Sequence, residues 1–178
     1  MAIASDAIAA NPDFGNAYTL RASLYFFMGD IDSAIRDASK AVSIYSSDAS
    51  ALNNRAIAYV KQGNIAAAIS DLDEAILLSP KASGLLRNRG NAHLQNGDLQ
   101  RALADLDEAI RLDPNQQPAF AYRGQVYEKL GRRDNAISDY TSVLFLDESK
   151  FFNVGLDAYL LAGKRLSALL NEQKASER

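Results

Sequence analysis

Residues 86–114 read LRNRGNAHLQNGDLQRALADLDEAIRLDP. Small and apolar side chains recur at steps of three and four on both sides of a central glycine, Gly97. They are Leu86 and Gly90 in the first run, with His93 on the same face, and Ala102, Leu106 and Ala109 in the second. Such spacing places each set on one face of an α-helix. The stretch therefore predicts two helices that close on each other as an antiparallel hairpin.

This hairpin recurs every 34 residues along the chain. The central glycine returns as Gly29, Gly63, Gly97 and Gly131, and an alanine follows five residues later as Ala34, Ala68, Ala102 and Ala136. Repeated units of this length cannot bury an apolar face alone, so they stack on their neighbours. We expect complete units at 15–48, 49–82, 83–116 and 117–150. Residues 1–14 fit the second helix of a partial unit, 151–172 a capping helix or a degenerate fifth unit, and 173–178 a polar tail.

Turn chemistry agrees with the period. A glycine at the end of a helix suits the left-handed conformation, and the residues after three of the glycines are good N-caps for the next helix. These residues are Asp30, Asn64 and Asp98. We therefore expect each hairpin to turn at its glycine.

Side-chain size is also periodic at the predicted hairpin seam. The first helices carry Ala22, Ala56, Gly90 and Gly124, and the second helices carry the larger Leu72, Leu106 and Tyr140. A small residue facing a large one lets two helices approach closely. Ala38 takes the place of the large residue in the first unit, which predicts different packing there.

The order small, aromatic, Gly, Ala, aromatic, Ala, Pro at these spacings resembles the tetratricopeptide repeat. The resemblance covers residues 15–150 in four copies, and residues 86–114 match best. It implies an all-α, right-handed superhelical solenoid of antiparallel helix–turn–helix repeats. It also implies a non-enzymatic scaffold or adaptor for protein binding, with a concave groove that takes a partner peptide.

Composition narrows the classes of function. The net charge of −3 and pI near 5.2 argue against a nucleic-acid partner, which basic clusters would attract. The chain has no cysteine and one histidine, His93, so we expect no metal site, no cofactor, no catalytic triad and no enzyme activity. No apolar run is long enough to span a membrane. We expect a cytoplasmic protein, with export left open if a signal peptide was removed.

Charged residues repeat with the same period. Arginine occurs at Arg21, Arg55, Arg89 and Arg123, and aspartate at Asp37, Asp71, Asp105 and Asp139. We interpret this Arg–Asp ladder as structural, with each arginine paired to the aspartate of its own unit. Pairing of each arginine with the aspartate of the preceding unit is the competing geometry. The functional alternative is that the arginines form a ladder that binds anions. The acid pairs Asp71–Asp73 and Asp105–Asp107 are predicted to form a solvated face.

The groove residues are those that vary between units. From the resemblance, the first helices present Asn53, Asn54, Lys61, Arg87, Asn88, Asn91, Gln95, Tyr122, Gln125 and Lys129 to a peptide. In related repeats, asparagine at the places of Asn54 and Asn88 often holds a peptide backbone, because an amide both donates and accepts hydrogen bonds. A plain polar surface is the alternative. Phe26 and Phe27 would add apolar contacts.

Other functions remain open from the sequence. Arg87 and Asn91 resemble half of the carboxylate clamp that binds chaperone tails, but Tyr122 stands where the next asparagine is needed, so this ligand is disfavoured. The terminal segments, 1–14 and 151–170, suggest self-assembly into a homo-oligomer. The chain would also suit the regulatory part of a larger enzyme.

Overall fold

The computed structural model describes residues 1–145 and 156–176, and all regular secondary structure in these ranges is α-helical. The helices are α1 Ala2–Ala10, α2 Gly15–Phe27, α3 Ile31–Ile44, α4 Ala49–Gln62, α5 Ile65–Leu78, α6 Ser83–Asn96, α7 Leu99–Leu112, α8 Gln117–Lys129, α9 Arg133–Phe145 and α10 Leu156–Ser176. The chain divides into an N-terminal body, Met1–Ala92, and a C-terminal body, His93–Arg178.

The hairpin turns form at the glycines, as the sequence predicts. Gly63 ends α4 with a φ of +90°, a left-handed conformation that strains any residue with a Cβ. Asn64 then accepts a hydrogen bond from the backbone N–H of Ala67 and caps α5. The other three glycines also have positive φ, and Asp30 and Asp98 cap α3 and α7 in the same way. The predicted N-caps are therefore confirmed.

In the N-terminal body, α2 packs on α3 and α4 packs on α5, and α3 also contacts α4. The core between α4 and α5 is built from Leu52, Ala56, Leu72 and Ala75, all fully buried. Each buried leucine contributes roughly 1.5–3 kcal/mol relative to an exposed one. In the first hairpin Ala38 is also fully buried, so its smaller side chain does not open that seam to solvent.

In the C-terminal body, α8 packs on α9 around a close contact between Gly124 and Tyr140. The ring of Tyr140 is fully buried, and a Cβ on Gly124 would lie 2.7 Å from its Cε1 atom. The Tyr140 hydroxyl donates a hydrogen bond to Glu128, which also accepts from Arg165 of α10. Burial, and then the carboxylate of Glu128, raise the pKa of Tyr140.

Helix α10 packs against α8 and α9 through Ala158, Ala162 and Leu169. It runs through Gly163 as one helix, so the turn that a fifth repeat would place there is absent from the described segment. The capping role stays a prediction. The parts of the predicted segments at 146–150, 151–155 and 177–178 lie outside the described residues.

No helix in the described ranges is both long enough and apolar enough to cross a membrane. Within the same residues, no group of three or more His, Asp or Glu side chains is arranged to hold a metal ion.

Candidate functional site

Two-pronged pairs join the ladder arginines Arg21, Arg55 and Arg123 to the aspartates of their own repeats. Arg21 donates to Asp37 from Nε at 2.5 Å and from Nη2 at 3.0 Å. Arg55 binds Asp71 in the same way, at 2.7 and 2.8 Å. Such forked, charge-assisted pairs combine strength with a fixed geometry. In the N-terminal body the ladder thus joins α2 to α3 and α4 to α5.

The same pair recurs in the C-terminal body, where Arg123 donates to both carboxylate oxygens of Asp139 at 2.8 and 2.7 Å. Burial alone would lower the pKa of Arg123, but the hydrogen bonds and charges of Asp139 and Asp107 outweigh it and raise the pKa. Burial raises the pKa of Asp139 against the opposing effect of Arg123. The arginine is therefore held charged and already coordinated by two carboxylates.

A second contact of each arginine runs backwards along the chain to the residue sixteen positions earlier. Arg21 donates to Ser5 at 3.3 Å and Arg55 to Ser39 at 3.4 Å. Aspartates occupy the equivalent place in the later repeats, Asp73 for Arg89 and Asp107 for Arg123, with donor–acceptor distances of 2.8 and 2.6 Å. Each of these arginines thus ties its own repeat to the preceding one.

This geometry corrects the expectation of a solvated acidic face. Asp71 and Asp105 are buried, with 7% and 8% of their surface exposed. Asp73 and Asp107 are about half exposed, but each is bound by an arginine. His93 is also buried, with Nε2 4.0 Å from the Asp105 carboxylate. Asp73 and Asp107 thus pair with arginines of the following repeats, a role that the sequence analysis did not assign to them.

On the first helices of the N-terminal body, Asn54 bridges two repeats. Its Nδ2 donates to the Ser23 hydroxyl at 2.8 Å and to the Thr19 carbonyl at 3.3 Å, both on α2. Thr19 in turn donates to Asp48, whose carboxylate caps α4. The role of Asp48 was not found from the sequence, although an aspartate directly before a helix is a usual N-cap.

The next pair of first helices, α4 and α6, is joined by a second amide contact. Asn88 donates from Nδ2 to the Asn53 Oδ1 atom at 2.8 Å. Arg87 donates to the Asn88 Oδ1 atom at 3.2 Å from Nε and 3.1 Å from Nη2. All three side chains are partly buried. The guanidinium of Arg87 is therefore oriented by the amide of its neighbour.

We call this hydrogen-bonded region the first-helix surface. It consists of Thr19, Ser23, Asn53, Asn54, Arg87 and Asn88. Asn91 is half-buried near its edge on α6, and Lys61 is exposed at the end of α4. The structure thus joins Asn54 to α2, and joins Asn53 to Asn88 and Arg87 of α6. Lys61 takes part in neither set of hydrogen bonds.

The remaining predicted groove residues lie in the C-terminal body. Gln95 and Lys129 are exposed, and Tyr122 is half-buried. Gln125 makes a long hydrogen bond of 3.5 Å to the Ala121 carbonyl. This contact stays within one helix, whereas the amides of the N-terminal body join neighbouring helices.

The first helices are also distinguished by charge. In a chain with net charge −3, the helices α2, α4 and α6 contain no Asp or Glu. The cations on these helices are Arg21, Arg55, Lys61, Arg87 and Arg89. The carboxylates of the N-terminal body lie on α1, on the second helices α3 and α5, at the helix caps and in the connections. The charged side chains of α2, α4 and α6 are therefore all positive.

The family model for the tetratricopeptide repeat matches the chain at residues 19–84, 53–117 and 87–151. The chain belongs to the tetratricopeptide repeat family. Proteins of this family are typically non-enzymatic scaffolds for protein–protein interaction, and the all-helical repeat fold predicted from the sequence is confirmed. A search of curated proteins gave no match.

Solved tetratricopeptide-repeat structures have the same fold. The type IV pilus biogenesis factor PilW has a TM-score of 0.81 and 22% identity, over 99% of this chain and 79% of PilW. TTC0263 of Thermus thermophilus has a TM-score of 0.76 and 20% identity, over 95% of this chain and 88% of that protein. The first repeat domain of Spaghetti (RPAP3), solved with the HSP90 peptide SRMEEVD, has a TM-score of 0.63 and 25% identity, over 66% of this chain and 93% of that domain.

Proposed function

We propose that this tetratricopeptide-repeat protein is a scaffold or adaptor that binds an extended peptide segment of a partner protein on the first-helix surface. The observation that carries the proposal is the pair of amide contacts between first helices, Asn54 with Ser23 and Asn88 with Asn53. The RPAP3 domain, solved with a peptide, supports peptide binding as the function of the fold.

The network leaves hydrogen-bonding capacity where a peptide backbone would need it. Asn54 uses its Nδ2 on α2, but its Oδ1 accepts no hydrogen bond in the described part of the chain. Asn53 accepts through Oδ1, and within the same residues its Nδ2 has no acceptor. One acceptor and one donor therefore stand on adjacent residues. A peptide group offers the complementary donor and acceptor.

The same network reduces the entropic cost of binding. A surface side chain that is already held by hydrogen bonds loses less freedom when a ligand fixes it, and immobilising a free one costs about 0.5–1.5 kcal/mol. Asn54, Asn88 and Arg87 are all held in this way. Preorganisation favours these residues over the exposed Lys129 as the centre of the site.

The test is selection from a random peptide library displayed on phage, followed by fluorescence anisotropy with the enriched peptides. The variant is Asn54→Ala with Arg87→Ala and Asn88→Ala. We expect the affinity to fall by roughly tenfold or more, since several hydrogen bonds are lost together. The matched control is Arg36→Ala with Lys40→Ala on α3, two exposed residues of a second helix.

Two results would reject the proposal. One is a folded triple variant that binds the enriched peptides as tightly as the parent, and the other is the absence of any enriched peptide. Circular dichroism of the variant checks the fold. The peptide SRMEEVD serves as a specificity probe, and we expect weak binding because Tyr122 replaces the asparagine that a carboxylate clamp needs.

Self-assembly through the terminal helices is the second candidate. Ile3 on α1 is 82% exposed and Leu160 on α10 is 60% exposed. Light scattering over a wide concentration range decides between the candidates. A monomer at high concentration argues against assembly, whereas a mass that rises with concentration and returns to the monomer value in Ile3→Ser or Leu160→Ser supports it.

A further inference from the structure

Helix α2 and its C-cap residue expose large apolar side chains next to the first-helix surface. Phe27 is 80% exposed, Met28 is 70% exposed and Leu20 is 51% exposed. Phe27 packs edge-on against the half-buried Phe26, with ring centroids 6.1 Å apart. Isolated exposed apolar residues are ordinary on protein surfaces, whereas several on one helix are typical of surfaces that bind a partner.

The repeat register places this apolar group beside a cation. Phe27 and Lys61 occupy the same position in adjacent repeats, 34 residues apart. Their helices are neighbours, because Asn54 of α4 bonds directly to Ser23 of α2. Packed helices lie about 8–10 Å apart, so the two side chains rise from the surface at about that separation.

Lys61 has no carboxylate partner in the described part of the chain. It is exposed, in the last turn of α4, and none of the Asp and Glu side chains described lies within salt-bridge distance of it. Together with the absence of Asp and Glu from α2, α4 and α6, this leaves a positive charge that the protein itself does not neutralise. An acidic side chain of a partner is the complement.

We infer that the peptide bound on the first-helix surface carries an apolar side chain, preferably aromatic, that packs on Phe27 and Leu20, and an acidic side chain that pairs with Lys61. This inference rests on the proposed function and specifies which class of peptide the protein binds. An extended chain advances about 3.3 Å per residue, so a separation of about 8–10 Å corresponds to about three residues. The recognition pattern is therefore an apolar residue and an acidic residue about three positions apart, inside the segment and independent of its C-terminal carboxylate.

Each half of the pattern has a separate structural basis. The aromatic rings supply apolar area that is exposed in the free protein, and its burial is the usual source of affinity at a hot spot. The lysine supplies selectivity against basic peptides and a dependence on salt, because exposed charges are screened within about 10 Å at moderate ionic strength. The amides of Asn53 and Asn54 hold the backbone between them.

The experiment uses the full chain and two probes, tested by fluorescence anisotropy. The first probe is a peptide of about ten residues, blocked at both ends, with phenylalanine and glutamate three positions apart in a Ser/Gly background. The second has lysine in place of the glutamate. We expect the glutamate peptide to bind roughly tenfold more tightly than the lysine peptide, and the difference to shrink at high salt.

Two variants separate the contributions, and each has a matched control. Phe27→Ala removes the exposed ring and should lower the affinity for the glutamate peptide by roughly tenfold. The control is Leu77→Ala on the second helix α5, where Leu77 is 83% exposed, and it should leave this affinity unchanged. Lys61→Glu should invert the preference between the two probes, and Lys40→Glu on α3 should not. Because Phe27 and Lys61 are exposed, neither change should unfold the protein.

The outcomes distinguish this inference from the proposed function. Equal affinity for the two probes, or full affinity in both Phe27→Ala and Lys61→Glu, overturns the inference. If library peptides that lack the pattern are still lost in the Asn54, Arg87 and Asn88 triple variant, the proposed function stands and the inference fails. If the enriched peptides bind the triple variant as tightly as the parent, the assignment of the site fails.

Discussion

Gly124→Ala should destabilise the protein even though alanine is the better helix former. The added Cβ would lie 2.7 Å from Tyr140 Cε1, 2.9 Å from Cζ and 3.0 Å from Cδ1. The ring is fully buried, and its hydroxyl is held by Glu128, so it cannot swing aside without losing that hydrogen bond. Overpacking costs about 1–3 kcal/mol, and helix propensity returns about 1 kcal/mol. The expected net loss is up to about 2 kcal/mol.

The second repeat supplies the compensating change. There Ala56 occupies the place of Gly124, and Leu72 occupies the place of Tyr140; both are fully buried. In a Tyr140→Leu background, the added methyl therefore has a native precedent. We expect Gly124→Ala to be neutral or to stabilise that background by up to about 1 kcal/mol. The double-mutant cycle should give a coupling energy of about 1–3 kcal/mol.

The assay is urea unfolding followed by far-UV circular dichroism for the parent, both single variants and the double variant. Gly163→Ala is the matched control, because it lies within α10 of the same body and a Cβ there meets no atom within 4 Å. The control should be neutral or slightly stabilising. The reasoning is refuted if Gly124→Ala stabilises the parent, or if it costs the same in both backgrounds.

Three further changes test the ladder, a cap and the buried tyrosine. Asp71→Ala leaves Arg55 without its paired carboxylate and should lower the free energy of unfolding in urea by about 3 kcal/mol. Asp139→Ala should lower it by less, because Arg123 keeps its contact with Asp107. Asp30→Ala should cost about 1 kcal/mol by the same measurement, because a capping hydrogen bond is lost; equal stability would rule out the cap. The pKa of Tyr140 is raised on folding, so its contribution to stability is complete below about pH 10 and is lost as the pH rises through the higher folded value; Tyr140→Phe should remove this alkaline loss in a pH series of unfolding curves.

Much of the fold could be predicted because its determinants are local. Gly63 and Asn64 specify a left-handed turn and a cap through their own backbone and side chain, without help from distant residues. The seam follows in the same way, since steps of three and four place Leu72 and Ala75 on one face wherever a helix forms. These rules act within one repeat, so the period displays them four times.

Contacts between repeats were not predictable from the period. Arg123 contacts Asp107 because successive hairpins bring the second helix of one repeat against the first helix of the next, a geometry that spacing within one repeat does not define. At the equivalent place the first repeats carry Ser5 and Ser39, so the contact is chemically different along the chain. Comparing the same position in each repeat therefore does not reveal a contact between residues that belong to different repeats.

The candidate site shows why variation alone is an incomplete guide to function. Asn54 and Asn88 are predicted to bind a peptide because asparagine at these places in related repeats often holds a peptide backbone. In the structure their amide nitrogens instead bind neighbouring first helices. In the proposed function, a peptide binds to the atoms that these contacts leave available, such as the Oδ1 of Asn54, and to side chains that make no contact between helices. Lys61 and the ring of Phe27 are of that second kind, so they should determine which peptide binds, while the asparagines determine where its backbone lies.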